Sequence, residues 1–459
     1  MHIETSSIDD ARMTDSSRSD AVTIWNAAVT AVDSEQLARN CVSIDGEFLQ
    51  ICDQQISLEG IKHIEVVGAG KAGAGMARGI ERAFATLPRT ITWSGWLNVP
   101  ADCVSALEQI TLHAARPAGI NEPTQAGVDG TREILRRVSS LNPEDLCIVL
   151  ISGGGSALMP APAQGISLVE KLEVTQFLAA AGASIQELNA VRSEISSIKS
   201  GGLARACSAG RLVSLIISDV IGDPLDIIAS GPTCHSVVSS QPWEVLRRFD
   251  PELSHTPLSV VEAVQQQAES SEPTCHVENH IIGSNQIAIE SAASEARALG
   301  YDVESWGSEN AGTASDLGNR LFARLQALQP IASNTGKPIC LLAGGETTVQ
   351  LSDESVRGKG GRNQQLVLSA IASNSRTELW QKVTLLSGGT DGEDGPTSAA
   401  GAVADEILVM KMLAAGIDTD KHLETNNAWT FFRQLDGLLN TGPTHTNVMD
   451  VQVGLVHPD

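Results

Sequence analysis

The chain has 459 residues, 41 of them glycine, with 19% charged and 3% aromatic residues and a formal net charge of -24. That length exceeds one ordinary core and predicts two α/β domains, each burying its own sheet. The acidity opposes a phosphate backbone and no basic cluster interrupts it, which excludes a nucleic-acid partner and points to small molecules. An anionic substrate would then have to be held by Lys, Arg and backbone amides placed locally.

The first twenty residues, MHIETSSIDDARMTDSSRSD, are polar and acidic with no apolar signal core, so they are expected to be disordered. No other stretch approaches the ~20 apolar residues of a membrane span, which predicts a cytoplasmic protein without a membrane partner. The eight cysteines show neither a CxxC pair nor zinc spacing, as suits a reducing compartment, and Cys147 and Cys340 read as small buried hydrophobes. A homodimer is left open.

Apolar runs at 63–67, 146–151, 212–217, 339–343 and 383–386 end near Gly or Asp and precede helix-like segments, the pattern of parallel strands in a doubly wound sheet. Ser167 and Glu170 form a capping box opening a helix over 168–181, and a second helix over 185–198 runs to the stop at Gly201-Gly202. The sequence turns polar over 235–280, where the domain boundary is expected. The resulting division is a disordered 1–20, a Rossmann-like domain over 21–255 and a second α/β domain over 256–459.

In VVGAGKAGAG, Gly68, Gly70 and Gly73 satisfy GxGxxG between a strand and a helix. A dinucleotide site also needs an acid for the ribose, and the next strand, ITWSGWLNV, carries none. Lys71 beside a helix N-terminus suits a phosphate or carboxylate, although the Walker A spacing is absent and a solvated lysine on a tight turn is the plain alternative. Three further turns follow apolar strands: Ser152-Gly153-Gly154-Gly155-Ser156, Gly344-Gly345-Glu346-Thr347, and Gly388-Gly389-Thr390-Asp391. Each is expected to present free amides and hydroxyls at the carboxyl edge of a sheet. In SDVIGDPLDIIASGPT, Asp219 ends a strand with Asp223 and Asp226 close behind. Asp219 and Asp223 could hold Mg²⁺, or Asp219 could accept the proton of an attacking hydroxyl; Asp223-Pro224 could equally be turn chemistry. Asp391, Glu393 and Asp394 could assist a metal or a ribose, though a solvated turn explains them too. GKGGRNQQ offers Lys359, Arg362 and Asn363, and Arg362 could grip a phosphate or carboxylate in two parallel hydrogen bonds. No His has the partner pattern of a catalytic triad or an HExxH site.

These segments, with LNAVRSEISSIKSGGLA, LLAGGETTV, SGGTDGEDGPTSAAGA and GPTHTNV, run in one order from about 64 to 448 and resemble the class II glycerate kinases, which have a glycerate kinase N-terminal domain and a C-terminal MOFRL domain. The resemblance implies a Rossmann-like domain with a doubly wound parallel sheet, a second α/β domain with its MOFRL region at about 337–452, and an active site in the cleft between them. It also implies ATP and Mg²⁺ as cosubstrates, with the family's catalytic lysine, aspartate and arginine at Lys71, Asp219 and Arg362. The sequence departs from the family pattern on the substrate side. Arg116 replaces a histidine, Gly312-Thr313-Ala314-Ser315 replaces a GEAR-like segment, Asn427 stands for an aspartate and His445 for a glycine. The expected activity is ATP-dependent phosphorylation of D-glycerate to 2-phosphoglycerate. The alternatives are NAD(P)H-dependent hydroxypyruvate reduction and a non-catalytic sugar-acid or nucleotide-binding protein.

Overall fold

A computed structural model describes residues 4–120, 122–235, 241–266 and 272–459, with side chains from residue 16 onward. The chain forms two compact units. A central unit comprises Ser34–Ser218 and Asp223–Ile282, and a terminal unit comprises Met1–Asp33, Asp219–Gly222 and Gly283–Asp459. The boundary expected at 255/256 therefore falls instead at 282/283. The N-terminal segment expected to be disordered is, from Glu4, helix α1 (Glu4–Ala31); Met1 to Ile3 lie outside the described residues.

In the central unit, helix α2 (Ser34–Cys41) leads into a small antiparallel sheet of β1 (Val42–Asp45), β2 (Phe48–Ile51) and β3 (Gln54–Ser57). The main sheet is built from β4 (His63–Ala69), helix α3 (Gly73–Ala83), β5 (Thr92–Pro100), β6 (Ile110–Arg116), helix α4 (Gln125–Ser139) and β7 (Leu146–Ile151). After the short helix α5 (Gly155–Leu158) come α6 (Leu168–Ala180), α7 (Ile185–Glu194), α8 (Gly202–Ala206), β8 (Arg211–Ile217), α9 (Pro242–Phe249), α10 (Leu258–Gln266) and β9 (His276–Gly283). The strand order is β6-β5-β4-β7-β8-β9, and β6 to β8 pair in parallel. Strands β4 and β7 are buried along nearly their whole length, as a sheet covered on both faces requires. The order runs outward from β4 to β6 and then restarts with β7 on the other side of β4. This reversal is a topological switch point, and sheets of this kind bind ligands at the carboxyl ends of the strands that flank it, here β4 and β7.

The capping box at Ser167 and Glu170 starts α6 as the sequence predicts. Helix α7 stops at Glu194, and a second capping box at Ser184 and Glu187 opens it. The polar 235–280 region belongs to this unit because Val245, Leu246, Val260 and Val264 pack with Val174, Leu178 and Val191 in one apolar cluster. Its buried apolar positions are thinly spread among polar residues, so composition misplaces the boundary.

The terminal unit continues with helix α11 (Asn285–Ala298), β10 (Asp302–Ser305), helix α12 (Ala314–Thr335), β11 (Ile339–Gly345), helix α13 (Arg362–Ser373), β12 (Val383–Gly389) and β13 (Gly401–Asp405). Helices α14 (Glu406–Ala415), α15 (Thr419–Glu424) and α16 (Ala428–Gln434) and strands β14 (Leu438–Leu439) and β15 (Asp450–Val456) complete it. Its sheet order is β10-β11-β15-β12-β13-β14. Only β10 and β11 pair in parallel; β15 runs antiparallel between β11 and β12. The parallel arrangement expected for 339–343 and 383–386 is thus a mixed sheet, because the fully buried strand DVQVGLV separates those two strands. Helix α1 lies on the same sheet and on α11. Ala21, Ile24, Trp25 and Ala28 form its buried stripe, and Trp25 Nε1 donates to Gly388 O at 3.2 Å. That stripe offsets the ordering entropy that the polar residues alone could not.

Candidate functional site

Two of the glycine turns meet at the switch point of the central sheet. Gly68 and Gly70 have φ of 158° and 151°; a Cβ on Gly70 would lie 2.0 Å from Ser152 Oγ, so only glycine lets the loops after β4 and β7 approach this closely. Replacement of Gly70 by alanine is expected to destabilise the protein by about 2 kcal/mol through overpacking, read as a lowered urea midpoint with an unchanged m-value.

The amides of the first turn are all taken. Gly70 N donates to Asn98 O at 3.2 Å, Lys71 N to Gly153 O at 2.9 Å, and Gly73 N to Gly70 O at 3.1 Å. Ala72 N donates to Ser152 Oγ at 3.0 Å. GxGxxG here clamps one loop onto another and does not present amides to a pyrophosphate. The second turn differs. Ser152 N donates to Ala69 O and Gly155 N to Ser152 O, but for the amides of Gly153, Gly154 and Ser156 the structure gives no acceptor among the described residues. Over this loop lie two cations: a Cβ on Gly154 would meet Arg116 Nη2 at 3.3 Å and Lys71 Cγ at 3.6 Å. Arg116 is only 5% exposed; burial pulls its pKa down while Asp102 nearby supports its charge. Open amides flanked by Lys71 and Arg116 form an anion cradle.

In the terminal unit the corresponding turns are closed, contrary to the expectation of free amides. Gly344 N donates to Gly307 O at 2.8 Å and Glu346 N to Asn310 O at 3.0 Å, while Gly345 pairs with Asp450 in β15 and Thr347 is buried. Gly389 N donates to Ala400 O and Thr390 N to Met449 O, and the Thr390 hydroxyl donates to Met449 O at 2.7 Å while accepting Val448 N at 2.9 Å. Asp391 Oδ1 accepts Glu393 N at 3.2 Å, as a turn residue does. Extra segments of sheet, absent from any local reading, take up these donors.

Arg362 donates from Nε and Nη2 to the two oxygens of Asp450, at 2.6 and 3.0 Å, and Nη1 lies 2.6 Å from Glu346 Oε1. Against the cost of burial, the Asp450 and Glu346 carboxylates hold its guanidinium charged well above the ordinary range. Asn363 donates to Asp394 and Asp450 and accepts the Ser387 hydroxyl at 2.6 Å, so it serves the packing at the start of α13. Asp394 is buried, not solvated, and accepts the amides of Asn363 and Gln364 at 3.0 and 2.8 Å; burial pushes its pKa up to about 7.

Asp219 is half-buried just past β8, and Asp223 sits at φ 55° in the following turn. Among the described residues no three His, Cys, Asp or Glu side chains gather into a ready metal site.

The chain matches the family model "Domain of unknown function (DUF4147)" over residues 20–265 and that of the MOFRL family over 339–450. It is 38% identical to a glycerate kinase of Danio rerio, covering 95% of this chain and 97% of that one. It is also 34% identical to a D-glycerate 2-kinase of Thermotoga maritima, over 86% and 91% of the two chains. The crystal structure of a glycerate kinase from Thermotoga maritima superposes with a TM-score of 0.82 at 31% identity, over 96% of this chain and 100% of that one. The chain belongs to the glycerate 2-kinase family.

Within this family frame, three of the four substrate-side departures have definite places. Arg116 joins the cradle. Asn427 Oδ1 accepts Lys359 N at 3.2 Å and the Thr430 hydroxyl at 2.7 Å, tying the 358–360 loop to the start of α16. His445 is exposed at φ 58°. Sequence reasoning passed over Asp450, Lys199 and Ser230. Asp450 opens a strand that was not expected, and Lys199 lies in a segment that reads as a helix end.

Proposed function

We propose that this protein transfers the γ-phosphoryl group of ATP to D-glycerate, giving 2-phosphoglycerate. The observation that carries this reading is the cradle after β7, where the amides of Gly153, Gly154 and Ser156 stand beside Lys71 and Arg116. Phosphoryl transfer spreads negative charge over equatorial oxygens and needs fixed donors and cations more than covalent chemistry. Lys71 is the proposed stabiliser of the transferring group, and Arg116 is placed for a phosphate or for the carboxylate of glycerate. Arg362 remains a candidate grip for a second anion, exchanging its present carboxylate partners for it. Mg²⁺ would be held by Asp219 and Asp223, supplying Lewis-acid neutralisation of phosphate oxygens. Membership of a family whose named members are glycerate kinases supports the substrate.

The reductase reading has one observation on its side. An acid does follow β5, Asp102, in the region where a dinucleotide ribose would need one. Asp102 is exposed and lies beside Arg116, and the pyrophosphate amides of GxGxxG are occupied. Incubation with ATP, Mg²⁺ and a panel of three- and four-carbon hydroxy acids is expected to give ADP and phosphoglycerate, with D-glycerate the preferred acceptor. Hydroxypyruvate should leave NADH and NADPH unoxidised. Nicotinamide oxidation without ADP formation would replace this reading with the reductase.

A further inference from the structure

A buried lysine, for which the described residues provide no ion pair, is linked to the cradle through a serine. Lys199 is 3% exposed, and its Nζ is 2.7 Å from Ser230 Oγ. Ser230 Oγ is in turn 2.8 Å from the hydroxyl of Ser156, the half-buried last residue of the SGGGS loop. The segment carrying Ser230 is held in an unfavourable conformation, with φ of 50° at Ala229 and 64° at Ser230. Ser200 N donates to Ser230 O at 3.0 Å and Gly201 N to Gly231 O at 2.7 Å, which fixes it there. Non-glycine residues in this region are strained and persist where the surroundings hold them. Here the strain aligns Ser230 between a buried amine and a loop hydroxyl.

Among the described residues, the charges that act on Lys199 are those of two cations. Arg192 of α7 and Lys171 of α6 both oppose its charge, and burial opposes it most, so its pKa lies well below the ordinary lysine value. Lys171 donates to Ile195 O at 3.2 Å, and burial pushes its own pKa down to about 7. Arg205 of α8 donates to Ser200 O; burial raises the pKa of Glu194, and Arg205 opposes that shift. A buried amine among cations is poised to be neutral and to accept a proton.

We infer that Ser156, Ser230 and Lys199 form a proton relay in which the Ser156 hydroxyl takes the proton of the attacking substrate hydroxyl and Lys199, acting through Ser230, receives the charge. This rests on the kinase reading above. As the glycerate oxygen bonds to the γ-phosphorus, the bond from that phosphorus to the β,γ-bridging oxygen breaks and ADP leaves with the electron pair. The substrate proton moves to Ser156 Oγ, the proton of Ser156 to Ser230 Oγ, and that of Ser230 to Lys199 Nζ. Both serines end as hydroxyls and Lys199 as an ammonium, which discharges along the same chain to solvent after product release. Lys199 is a positioning and proton-storing residue; Ser156 is the group at the substrate.

The relay predicts that kcat/KM falls as pH drops through the Lys199 titration, because the ammonium cannot accept a proton. Ser230→Ala breaks the chain with a small, half-buried change. It should lower kcat about a hundredfold, shift the KM for glycerate by less than about threefold and abolish that acidic limb. Lys199→Arg places a permanent cation and a donor against Ser230 but has no basic lone pair, so its loss should equal that of Ser230→Ala. A lysine that only props the loop or attracts anions would be rescued by arginine. Wild-type kcat in Lys199→Arg, or an intact acidic limb in Ser230→Ala, overturns the relay. ¹⁵N NMR of the wild-type protein labelled at lysine Nζ, assigned by the signal missing from Lys199→Arg, needs no turnover and separates this inference from the kinase reading. A Lys199 amine that titrates below the free-lysine value supports the relay, and one that stays an ammonium up to that value overturns it.

Discussion

Lys71→Met is expected to lower kcat/KM at least about a hundredfold while leaving the fold intact, the size found when one preorganised stabiliser of a developing charge is removed. The fold should survive because the backbone of Lys71 joins the turns after β4 and β7, through its amide on Gly153 O. Methionine keeps the length of the stem that runs past Gly154 and removes only the charge. If Lys71 acts on the transferring phosphoryl group, the loss should fall mainly on kcat; if it only anchors a ground-state anion, KM should rise with kcat unchanged. Steady-state kinetics in both substrates, with circular dichroism and a thermal melt to check the fold, separate these outcomes. Near-normal turnover in a folded variant removes Lys71 from the chemistry and leaves Arg116 as the cation of the cradle.

The central sheet was legible because its strands bear their burial in their own sequence. HIEVV, LCIVLI and LVSLII are apolar without alternation, as strands covered on both faces must be, and each ends in a turn motif. The terminal sheet was only half legible. ICLLA and VTLL read correctly as strands, but their shared neighbour DVQVGLV carries Gln452 and Gly454, which blur the pattern. Gln452 is buried because its side chain donates to Ser387 Oγ at 3.3 Å, a partner 65 residues away that no local window contains. The same blindness hid helix α1, whose apolar stripe of Ala21, Ile24, Trp25 and Ala28 is too short to outweigh the polar residues before it until a sheet is there to receive it.

The glycine motifs were legible as turns but not as donors. Whether an amide after a strand is open depends on what the next strand or loop does with it. After β7 it stays open, and after β11 and β12 it is taken by Gly307, Asn310, Ala400 and Met449. Lys199, Ser230 and Ser156 share no spacing that a motif search would notice, and what lowers the pKa of the lysine is first its burial and then Arg192 and Lys171 beside it. Arg116 was visible as a departure from the family pattern, but its place over Gly154 was not.

Asp450→Asn is expected to destabilise the terminal unit by about 3 kcal/mol, the cost of leaving a buried cation without its counter-charge. Asp450 is 0% exposed and receives three donors, Arg362 Nε at 2.6 Å, Arg362 Nη2 at 3.0 Å and Asn363 Nδ2 at 3.0 Å. A neutral amide offers one acceptor oxygen and sets its own NH₂ against at least one of these donors, so a hydrogen bond is lost as well as a charge. The figure lies at the low end for buried pairs because a third of the Arg362 side chain is exposed, and water can rehydrate part of the guanidinium. Glu346 keeps its contact with Nη1 and softens the loss further. Urea unfolding of the variant should show the decrease without a change in m-value. A loss below about 1 kcal/mol would mean that the Arg362–Asp450 pair barely outweighs its own desolvation, freeing Arg362 to trade that carboxylate for a substrate anion at little cost.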